Sequence, residues 1–317
     1  MAKRPNNVQV RQDLTDFAAG LMQDIAPAMR LANILAPVVP TGGSSGLYNK
    51  FDDTQAFKAY AAEVAARAIG GHAQEIGFLS DTANYNIKPS GLRIKIDEFE
   101  RTQAGGNMQL LEQAKTRTLM INCALSYLSA IVTKIKASVS AASGKGSWGE
   151  ANVDPIREIN AQIKAVYLAT GMIPNTVAFD FGAWCVFSEN PNVLKRMPGA
   201  DVAEVTPSRV QRLFVNPNAK VEIVETAILS GGGLGNASAT KTSVLGGSVF
   251  VLMNSPMATV YDPSFAKTFS ATSKMFTEIY SYREEPHFDW YENDWENDIQ
   301  IIASGLCKRI DVTGANS

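Results

Sequence analysis

Apolar residues near the start of the chain recur every three or four positions, which is the spacing of one face of a helix. The residues that share this face are Leu14, Phe17, Leu21, Ile25 and Met29. The spacing predicts a helix over residues 13–35, with a break or kink at Pro27. Pro37 and Pro40 end this helix, and the Gly/Ser-rich residues 41–46 predict a flexible joint. We therefore expect an N-terminal arm that is loosely joined to the rest of the chain.

A longer apolar stripe predicts the dominant helix of the chain, over residues 107–142. The stripe consists of Leu111, Ala114, Thr118, Ile121, Leu125, Leu128, Val132, Ile135 and Val139. At 1.5 Å per residue this helix is roughly 50 Å long. Leu125 and Leu128 lie in the middle of the stripe, so we expect both side chains to be buried in the core.

Residues 46–100 lie between the arm and this helix and contain little sequence that can form a core. Residues 46–53 predict a short strand, and residues 92–97 alternate apolar and charged positions, as in a half-exposed strand. The roughly forty residues between them are long for a loop in a compact domain, and such loops are usually functional or extended. We expect this loop to reach over a neighbouring protein chain. The aromatic residues that we expect the neighbour to bury are Tyr48, Phe51, Phe57 and Phe78.

The second half of the chain alternates predicted helices and strands up to about residue 262. Asp154-Pro155 supplies an N-cap and a first-turn proline for a helix that stops at Gly171. Further helices are predicted over residues 182–189 and 206–214, and strands over residues 175–181, 220–226 and 248–253. Residues 229–247 are rich in Gly, Ser, Thr and Ala and predict a loop.

The last segment, residues 275–312, is strand-like, aromatic and acidic. Residues 289–298 (DWYENDWEND) carry enough carboxylates to raise the question of a calcium site. An EF-hand loop requires Gly at its sixth position and Glu at its twelfth, and neither requirement is met. We therefore interpret this run as a turn between two strands with a solvated acidic face.

The sequence contains no arrangement of residues that is typical of a catalytic or cofactor site. The two histidines, His72 and His287, lie in different segments, and no CxxC or HExxH motif is present. Residues 143–147 (SGKGS) lack the glycine that a phosphate-binding loop has four residues before its Gly-Lys pair. Residues 231–235 (GGGLG) lack the third glycine of a dinucleotide-binding loop. We expect no catalytic residue, no cofactor and no metal site.

Composition and charge narrow the possible partners. Hydrophobic residues make up 45% of the chain, enough for a core, whereas charged residues make up 19%, which favours a surface partly covered by partners. The net charge of −2 excludes a global basic field that would hold nucleic acid. Lys3, Arg4 and Arg11 lie on the arm, where they either contact DNA phosphates or belong to a solvated terminus.

The cysteines and the apolar segments indicate where the chain folds. Cys123, Cys185 and Cys307 are widely spaced and odd in number, which fits a reducing compartment and neither a disulfide framework nor a zinc site. We find no run of 18 apolar residues that predicts a membrane span, and no apolar segment follows Lys3 and Arg4 as in a signal peptide. We therefore expect folding in the cytoplasm and no membrane partner.

The order of these parts resembles the tailed-bacteriophage major capsid proteins of the Hong Kong 97-type fold. Residues 148–159 (WGEANVDPIREI) and 170–176 (TGMIPNT) are similar to the family's run of Asp-Pro, helix, Thr-Gly, Pro-Asn-Thr and apolar strand. The segment from Trp184 to Asn190-Pro191 resembles the family's short helix that ends in Asn-Pro or His-Pro. The resemblance covers nearly the whole chain and carries no catalytic residues.

This resemblance implies an α+β fold with an N-arm, an extended E-loop hairpin, a long spine helix in a peripheral domain and an α/β axial domain. The implied parts are the N-terminal arm 1–45, the E-loop 46–104, the peripheral-domain spine helix 105–147, the axial domain 148–263, and the peripheral-domain strands and C-terminus 264–317. It further implies a structural protein that assembles as pentamers and hexamers into an icosahedral shell around double-stranded DNA. The implied partners are further copies of the chain, a portal, scaffolding or decoration proteins, and weakly held DNA. The implied location is the virion capsid, assembled in the host cytoplasm.

Other functions fit parts of the same sequence. An encapsulin-type compartment shares the fold but encloses cargo enzymes, and the contents of purified particles would distinguish the two. An α/β enzyme is a different class, which the lack of a nucleophile–base pair disfavours. A tail-tube or adhesin protein is disfavoured by the long helix and the α/β region.

Some members of the resembled family join subunits by an isopeptide bond between a lysine of the E-loop and an asparagine of a neighbour. Candidate lysines are Lys50, Lys58, Lys88 and Lys95, and candidate asparagines are Asn293 and Asn297, next to Asp294, Glu296 and Asp298. The reaction requires a lysine deprotonated by burial, and the strand patterns around Lys50 and Lys95 face them to solvent. We therefore expect a shell held together without covalent bonds.

Overall fold

The computed structural model of this chain describes residues 8–21, 26–50, 66–67, 69, 71–73, 81–197, 204–230, 240–255, 257–271, 276, 278–285 and 287–315. The helices in these ranges are α1 (Gln12–Leu21), α2 (Ala26–Leu35), α3 (Glu98–Ala104), α4 (Met108–Ser138), α5 (Pro155–Thr170), α6 (Phe181–Glu189), α7 (Pro191–Lys195) and α8 (Pro207–Gln211). The strands are β1 (Gln9–Val10), β2 (Val38–Pro40), β3 (Ser45–Asn49), β4 (Thr82–Asn86), β5 (Lys88–Asp97), β6 (Thr176–Asp180), β7 (Lys220–Val224), β8 (Ala227–Ser230), β9 (Thr240–Ser243), β10 (Ser248–Leu252), β11 (Ala266–Ser270), β12 (Ile279–Glu285), β13 (Phe288–Ile301) and β14 (Cys307–Asp311).

Two larger sheets organise the described residues. In the first, the strands follow the order β1-β12-β13-β11-β2, and β5 also pairs with β13. In the second, the order is β14-β10-β6-β7, so the last strand of the chain returns to the α/β region. The pair β5–β13 is antiparallel, with Asp97 opposite Phe288 at one end and Lys88 opposite Asn297 at the other. Two apolar cores accompany these sheets: the first contains buried residues of both sheets, and the second lies on the other face of the second sheet.

The long helix α4 forms the centre of the first core. It packs on β5 and β13, and α1 and α2 pack against it in turn. Pro27 lies in the first turn of α2, where a missing N–H costs nothing, and α1 ends at Leu21. The described part of the arm contains two helices, as a break near Pro27 predicts, and residues 22–25 between them lie outside the described residues.

The predicted apolar stripe of α4 was wrong in its first half. Ala114 and Thr118 are exposed, Ile121 is 36% exposed and Leu125 is half-buried. The buried positions are Glu112, Thr116, Leu119, Met120, Cys123, Ala124, Tyr127, Leu128, Ile131, Val132 and Ile135. Because two polar residues, Glu112 and Thr116, occupy core positions, the hydrophobic pattern alone assigned the first turns to the wrong face.

Leu128 and Leu125 provide a paired test of this orientation. Leu128 is fully buried, whereas Leu125 lines an open groove beside Ile228 and Leu229 of β8. We expect Leu128→Ala to lower the free energy of unfolding by about 2–5 kcal/mol, because it leaves a cavity in the core. Leu125→Ala should cost under about 1.5 kcal/mol, since less buried surface is lost. Denaturant unfolding of both variants measures the difference, and equal losses would refute the assigned orientation.

Local signals placed the elements of the α/β region correctly. The Asp154 carboxylate accepts the Arg157 amide, and Pro155 starts α5. Gly171 ends α5 with φ of 70°, a left-handed conformation that glycine adopts readily. The α5 and α6 helices pack on the second sheet around Trp148, Phe179 and Phe187. Residues 229–247 differ from the prediction, because β8 and β9 form an antiparallel ladder there.

The acidic run also differs from the prediction. Residues 289–298 form no turn, because β13 continues through them in one strand. Tyr291 and Trp295 point into the core, and Glu292 lies directly opposite Arg93 of β5. The buried residues Tyr291, Asn293 and Trp295 therefore alternate with more exposed acidic residues, which is the period of a strand.

One helical run within the described ranges, Glu98–Ser138, is long and apolar enough to cross a membrane. From the sequence alone we predict no membrane span, because no 18 consecutive residues are all apolar. Its most apolar window has a mean hydropathy of 1.4 and is half-buried inside the protein. The core helix of a soluble protein meets the same criteria, and α4 packs on both a sheet and two helices.

Candidate assembly surfaces

The base of the extended loop is a two-stranded ladder of β3 and β4. Tyr85 stacks on Phe269 of β11 with ring centroids 4.7 Å apart, and Tyr48 lies 5.2 Å from the same ring. Beneath the ladder, a small apolar cluster consists of Val39, Tyr48, Tyr85, Ile87, Phe269 and Ile302, which we call the hairpin base. The Asn86 amide also donates to Asp298 Oδ2 at 2.8 Å. The start and end of the loop are therefore fixed to the body of the subunit.

Tyr48 was assigned the wrong partner from the sequence. It is 4% exposed, and its burial comes from Phe269 and Tyr85 of the same chain, so no neighbour is needed to cover it. Burial also raises the pKa of the Tyr48 hydroxyl above its usual value. Phe51, Phe57 and Phe78 lie outside the described residues, and their contact with a neighbour stays a prediction.

The predicted hairpin also has different strand partners. Residues 46–53 and 92–97 were expected to form one long two-stranded extension. Instead β3 pairs with β4, whereas β5 pairs with β13 in the main sheet. Residues 88–97, which were assigned to the loop, thus lie in the main sheet.

A loop over residues 257–264 lies beside the hairpin base. Ala258 and Val260 pack against that cluster, while Met257 and Tyr261 are 84% and 80% exposed. The Asp262 carboxylate accepts the Ser264 hydroxyl at 2.7 Å and the Thr259 hydroxyl at 3.0 Å. Such internal hydrogen bonds fix the loop before any partner arrives, which lowers the entropic cost of binding.

Arg11 is bound to carboxylates of its own chain. Its guanidinium donates to both oxygens of Glu112 at 3.2 and 2.9 Å and to Asp13 at 2.7 Å. These hydrogen bonds raise the pKa of Arg11, with Asp13 contributing most. The side chain therefore attaches the start of α1 to α4, which differs from both alternatives considered from the sequence, a contact with DNA phosphates and a solvated terminus. Lys3 and Arg4 lie outside the described residues.

The lysines and asparagines that are candidates for an isopeptide bond lie in positions that disfavour this reaction. Lys50, Lys88 and Lys95 are exposed, and Lys95 lies over the Phe288 ring at 4.4 Å. Asn293 is fully buried inside its own subunit, and Asn297 lies opposite Lys88 of the same chain. Lys58 lies outside the described residues.

The described residues contain no cluster of three or more His, Cys, Asp or Glu side chains that would hold a metal ion. His287 is exposed, with Nδ1 at 3.2 Å from Glu98. Burial raises the pKa of the Cys123 thiol to about 12 and that of Cys307 further, so neither is a ready nucleophile. In the 143–147 loop, the Gly146 amide donates to the Glu158 carboxylate at 3.0 Å. This carboxylate therefore occupies the place that a phosphate would take at that amide.

The sequence matches no protein-family model and no curated protein. The structure is similar to a phage-related protein from Bordetella bronchiseptica RB50, with a TM-score of 0.68, 18% identity and coverage of 97% of this chain and 99% of that one. The capsid structure of cyanophage P-SCSP1u matches with a TM-score of 0.50 and 10% identity over 89% and 87% of the two chains. The SrpI encapsulin of Synechococcus elongatus PCC 7942 matches with a TM-score of 0.52 and 9% identity over 93% and 90%.

These similarities define the class of fold. The chain has the α+β fold of phage capsid proteins, and encapsulins share it. Because all of the identities are below 25%, the comparisons establish the fold and leave the function to be argued.

Proposed function

We propose that this chain is a major capsid protein of a tailed bacteriophage, a structural subunit and not an enzyme. The observation that carries the proposal is the full-length match of fold, which spans 97% of this chain and 99% of the phage-related protein. A match over both chains includes the arm, the long helix, the long strands and the α/β region together.

The arrangement of the parts supports a Hong Kong 97-type assignment. In this proposal α4 is the spine helix of the peripheral domain, and β5, β12 and β13 are its long strands. The sheet β14-β10-β6-β7 with α5 and α6 is the axial domain. Residues 1–45 are the N-arm, and the segment held by β3 and β4 is the E-loop. Long projections of this kind suit heterologous contacts, which close into rings when the rotation allows.

The proposed assembly consists of pentamers and hexamers in an icosahedral shell around double-stranded DNA. The net charge of −2 favours weak contact with DNA, which suits a genome that must later leave the shell. A portal and scaffolding or decoration proteins complete the proposed set of partners. The proposed location is the virion capsid, assembled in the host cytoplasm.

Negative-stain microscopy of the purified full-length chain tests this proposal. We expect closed shells, or rings of five and six subunits, at high protein concentration and moderate salt. A strictly monomeric protein would contradict the shell function. Shells that co-purify with enclosed cellular protein would replace the phage capsid assignment with an encapsulin-type compartment.

We also expect the assembled shell to be held without covalent cross-links. The exposed lysines and the buried Asn293 described above do not form the buried lysine–asparagine pair that an isopeptide bond requires. Boiling mature particles in detergent should give one band near 34 kDa, since the chain has a mass of 34.2 kDa. A ladder of multimers that survives reductant would contradict this expectation.

A further inference from the structure

Polar side chains form a seam between α4 and β13 inside an otherwise apolar core. Glu112 and Thr116 are one turn apart on the buried face of α4, and Tyr291 and Asn293 are buried on β13. The Tyr291 hydroxyl donates to Glu112 Oε1 at 2.7 Å. Arg11 reaches Glu112 from the N-terminal side, at 3.2 and 2.9 Å. We call Arg11, Glu112, Thr116, Tyr291 and Asn293 the polar seam.

Two atoms of the polar seam have no hydrogen-bond partner among the described residues. They are Thr116 Oγ1 and Asn293 Oδ1, and both are buried. The Thr118 hydroxyl on the same helix donates to the Ala114 carbonyl at 3.0 Å, so the Thr116 hydroxyl departs from the usual helical bond. The Asn293 Nδ2 donates to the Glu278 carbonyl at 2.9 Å, which leaves its oxygen as the atom without a partner. Buried polar atoms are nearly always hydrogen-bonded, to protein or to ordered water.

The geometry of the two elements brings these atoms towards each other. Glu112 contacts Tyr291, and further along Lys134 contacts the Ile299 carbonyl, so α4 and β13 run in the same direction. From Glu112 to Thr116 the helix rises about 6 Å. From Tyr291 to Asn293 the strand rises about 6.6 Å. From these equal rises we expect Thr116 and Asn293 to lie opposite each other, one step beyond the bonded pair Glu112–Tyr291.

We infer that Thr116 Oγ1 and Asn293 Oδ1 together bind one buried water molecule. A hydroxyl supplies both a donor and an acceptor, and an amide oxygen supplies an acceptor, which is the set that an internal water bridges. The water completes the polar seam because it gives both oxygens a hydrogen-bond partner. Without that partner, the burial of the two oxygens lowers the stability of the fold. This inference is independent of whether the chain forms shells.

The same seam holds the N-terminal segment in place. Arg11 bonds to Glu112 by its side chain, and its amide donates to the Ile279 carbonyl at 3.0 Å. The Ile279 amide donates to Thr15 Oγ1 at 3.2 Å, and Ile279 is the register partner of Asn293. Residues 9–21 are thereby attached to the strand that flanks the water site, so loss of the water should loosen this segment.

A double-mutant cycle on the purified full-length chain tests the shared water. Thr116→Val and Asn293→Leu should each lower the Tm by about 3–8 °C, because each leaves the other atom buried without its partner. The double variant should lose clearly less than the sum of the two, since neither atom remains. Thr116→Ser keeps the hydroxyl and should restore most of the Tm. Thr118→Val, at an exposed hydroxyl of the same helix, is the matched control and should change the Tm little.

Two further readouts decide the remaining parts of the inference. A high-resolution map should show density within about 2.7–3.2 Å of both oxygens in the wild type and none in Thr116→Val. Thr116→Val should also increase limited proteolysis within residues 9–21 several-fold. Additive losses of Tm, or a direct bond between the two side chains with no water density, would overturn the water site. A lower Tm with unchanged proteolysis would overturn its link to the N-terminal segment.

Discussion

Replacing Asp262 with alanine should lower the free energy of unfolding by about 3 kcal/mol or more, because it leaves the buried ammonium group of Lys267 without its counter-ion. The Lys267 side chain is fully buried on β11. Its Nζ lies 3.2 Å from Asp262 Oδ1 and donates to the Asp262 carbonyl at 2.6 Å. The carbonyl remains in the variant as a neutral acceptor, so the loss should fall near the lower end of the usual range of about 3–5 kcal/mol for a broken buried pair.

The effect should depend on pH in a defined direction. Burial lowers the pKa of Lys267, and the charge of Asp262 opposes that shift. Without Asp262 the folded-state pKa falls further below the unfolded value of about 10.4. Between those two values the unfolded chain binds more protons, so stability rises with pH. The deficit of Asp262→Ala should therefore shrink as the pH rises from neutral towards about 10.

Lys267→Met is the matched control for this prediction. It removes the buried charge and keeps an unbranched apolar side chain, a change that is often neutral or stabilising. We expect Lys267→Met, alone or combined with Asp262→Ala, to unfold within about 1 kcal/mol of the wild type in denaturant. If Asp262→Ala alone is equally stable, the carboxylate of Asp262 does not stabilise the buried charge of Lys267.

Shortening the extended loop should abolish shell formation while leaving a folded subunit. A deletion that extended to residue 87 would remove Tyr85 and Ile87, which belong to the hairpin base, and the strand β4, which pairs with β3. The deletion should therefore be confined to residues 53–78, with a short Gly/Ser linker between the remaining ends. The shortened subunit keeps the ladder of β3 and β4. It also keeps the hydrogen bond from the Lys50 amide to the Asp81 carbonyl, 2.7 Å long, at the end of that ladder. Its unfolding should remain cooperative, while particles disappear from negative-stain images.

A second variant separates the length of the loop from its sequence. Replacing residues 53–78 by a Gly/Ser chain of equal length keeps the span but removes Phe57 and Phe78. If these aromatic side chains contact a neighbour, this variant should also fail to form shells. Normal particles from both variants would show that the loop has no part in assembly. Particles from the Gly/Ser variant alone would show that assembly depends on the length of the loop and not on its aromatic side chains.

Short-range signals in the sequence predicted those elements whose ends depend on local chemistry. The two ends of α5 are set by the side-chain cap of Asp154, the fixed φ of Pro155 and the left-handed conformation of Gly171. Each of these acts within a few positions of the chain. Pro27 divided the arm for a similar reason. The α+β class and the resemblance to phage capsid proteins followed from the order of such elements, and the similarity of fold agrees with both.

The buried face of α4, the course of β13 and the environment of Tyr48 were decided only by the tertiary structure. Glu112 is tolerated in the core because Arg11, a hundred positions away in the chain, and Tyr291 bind its carboxylate. The acidic run could continue as a strand because β5 pairs with nearly its whole length and places Arg93 opposite Glu292. Tyr48 is buried because Phe269 lies beneath it. In each case the compensating partner is distant in sequence, so a pattern that weighs each residue by its own polarity assigns it to the wrong environment.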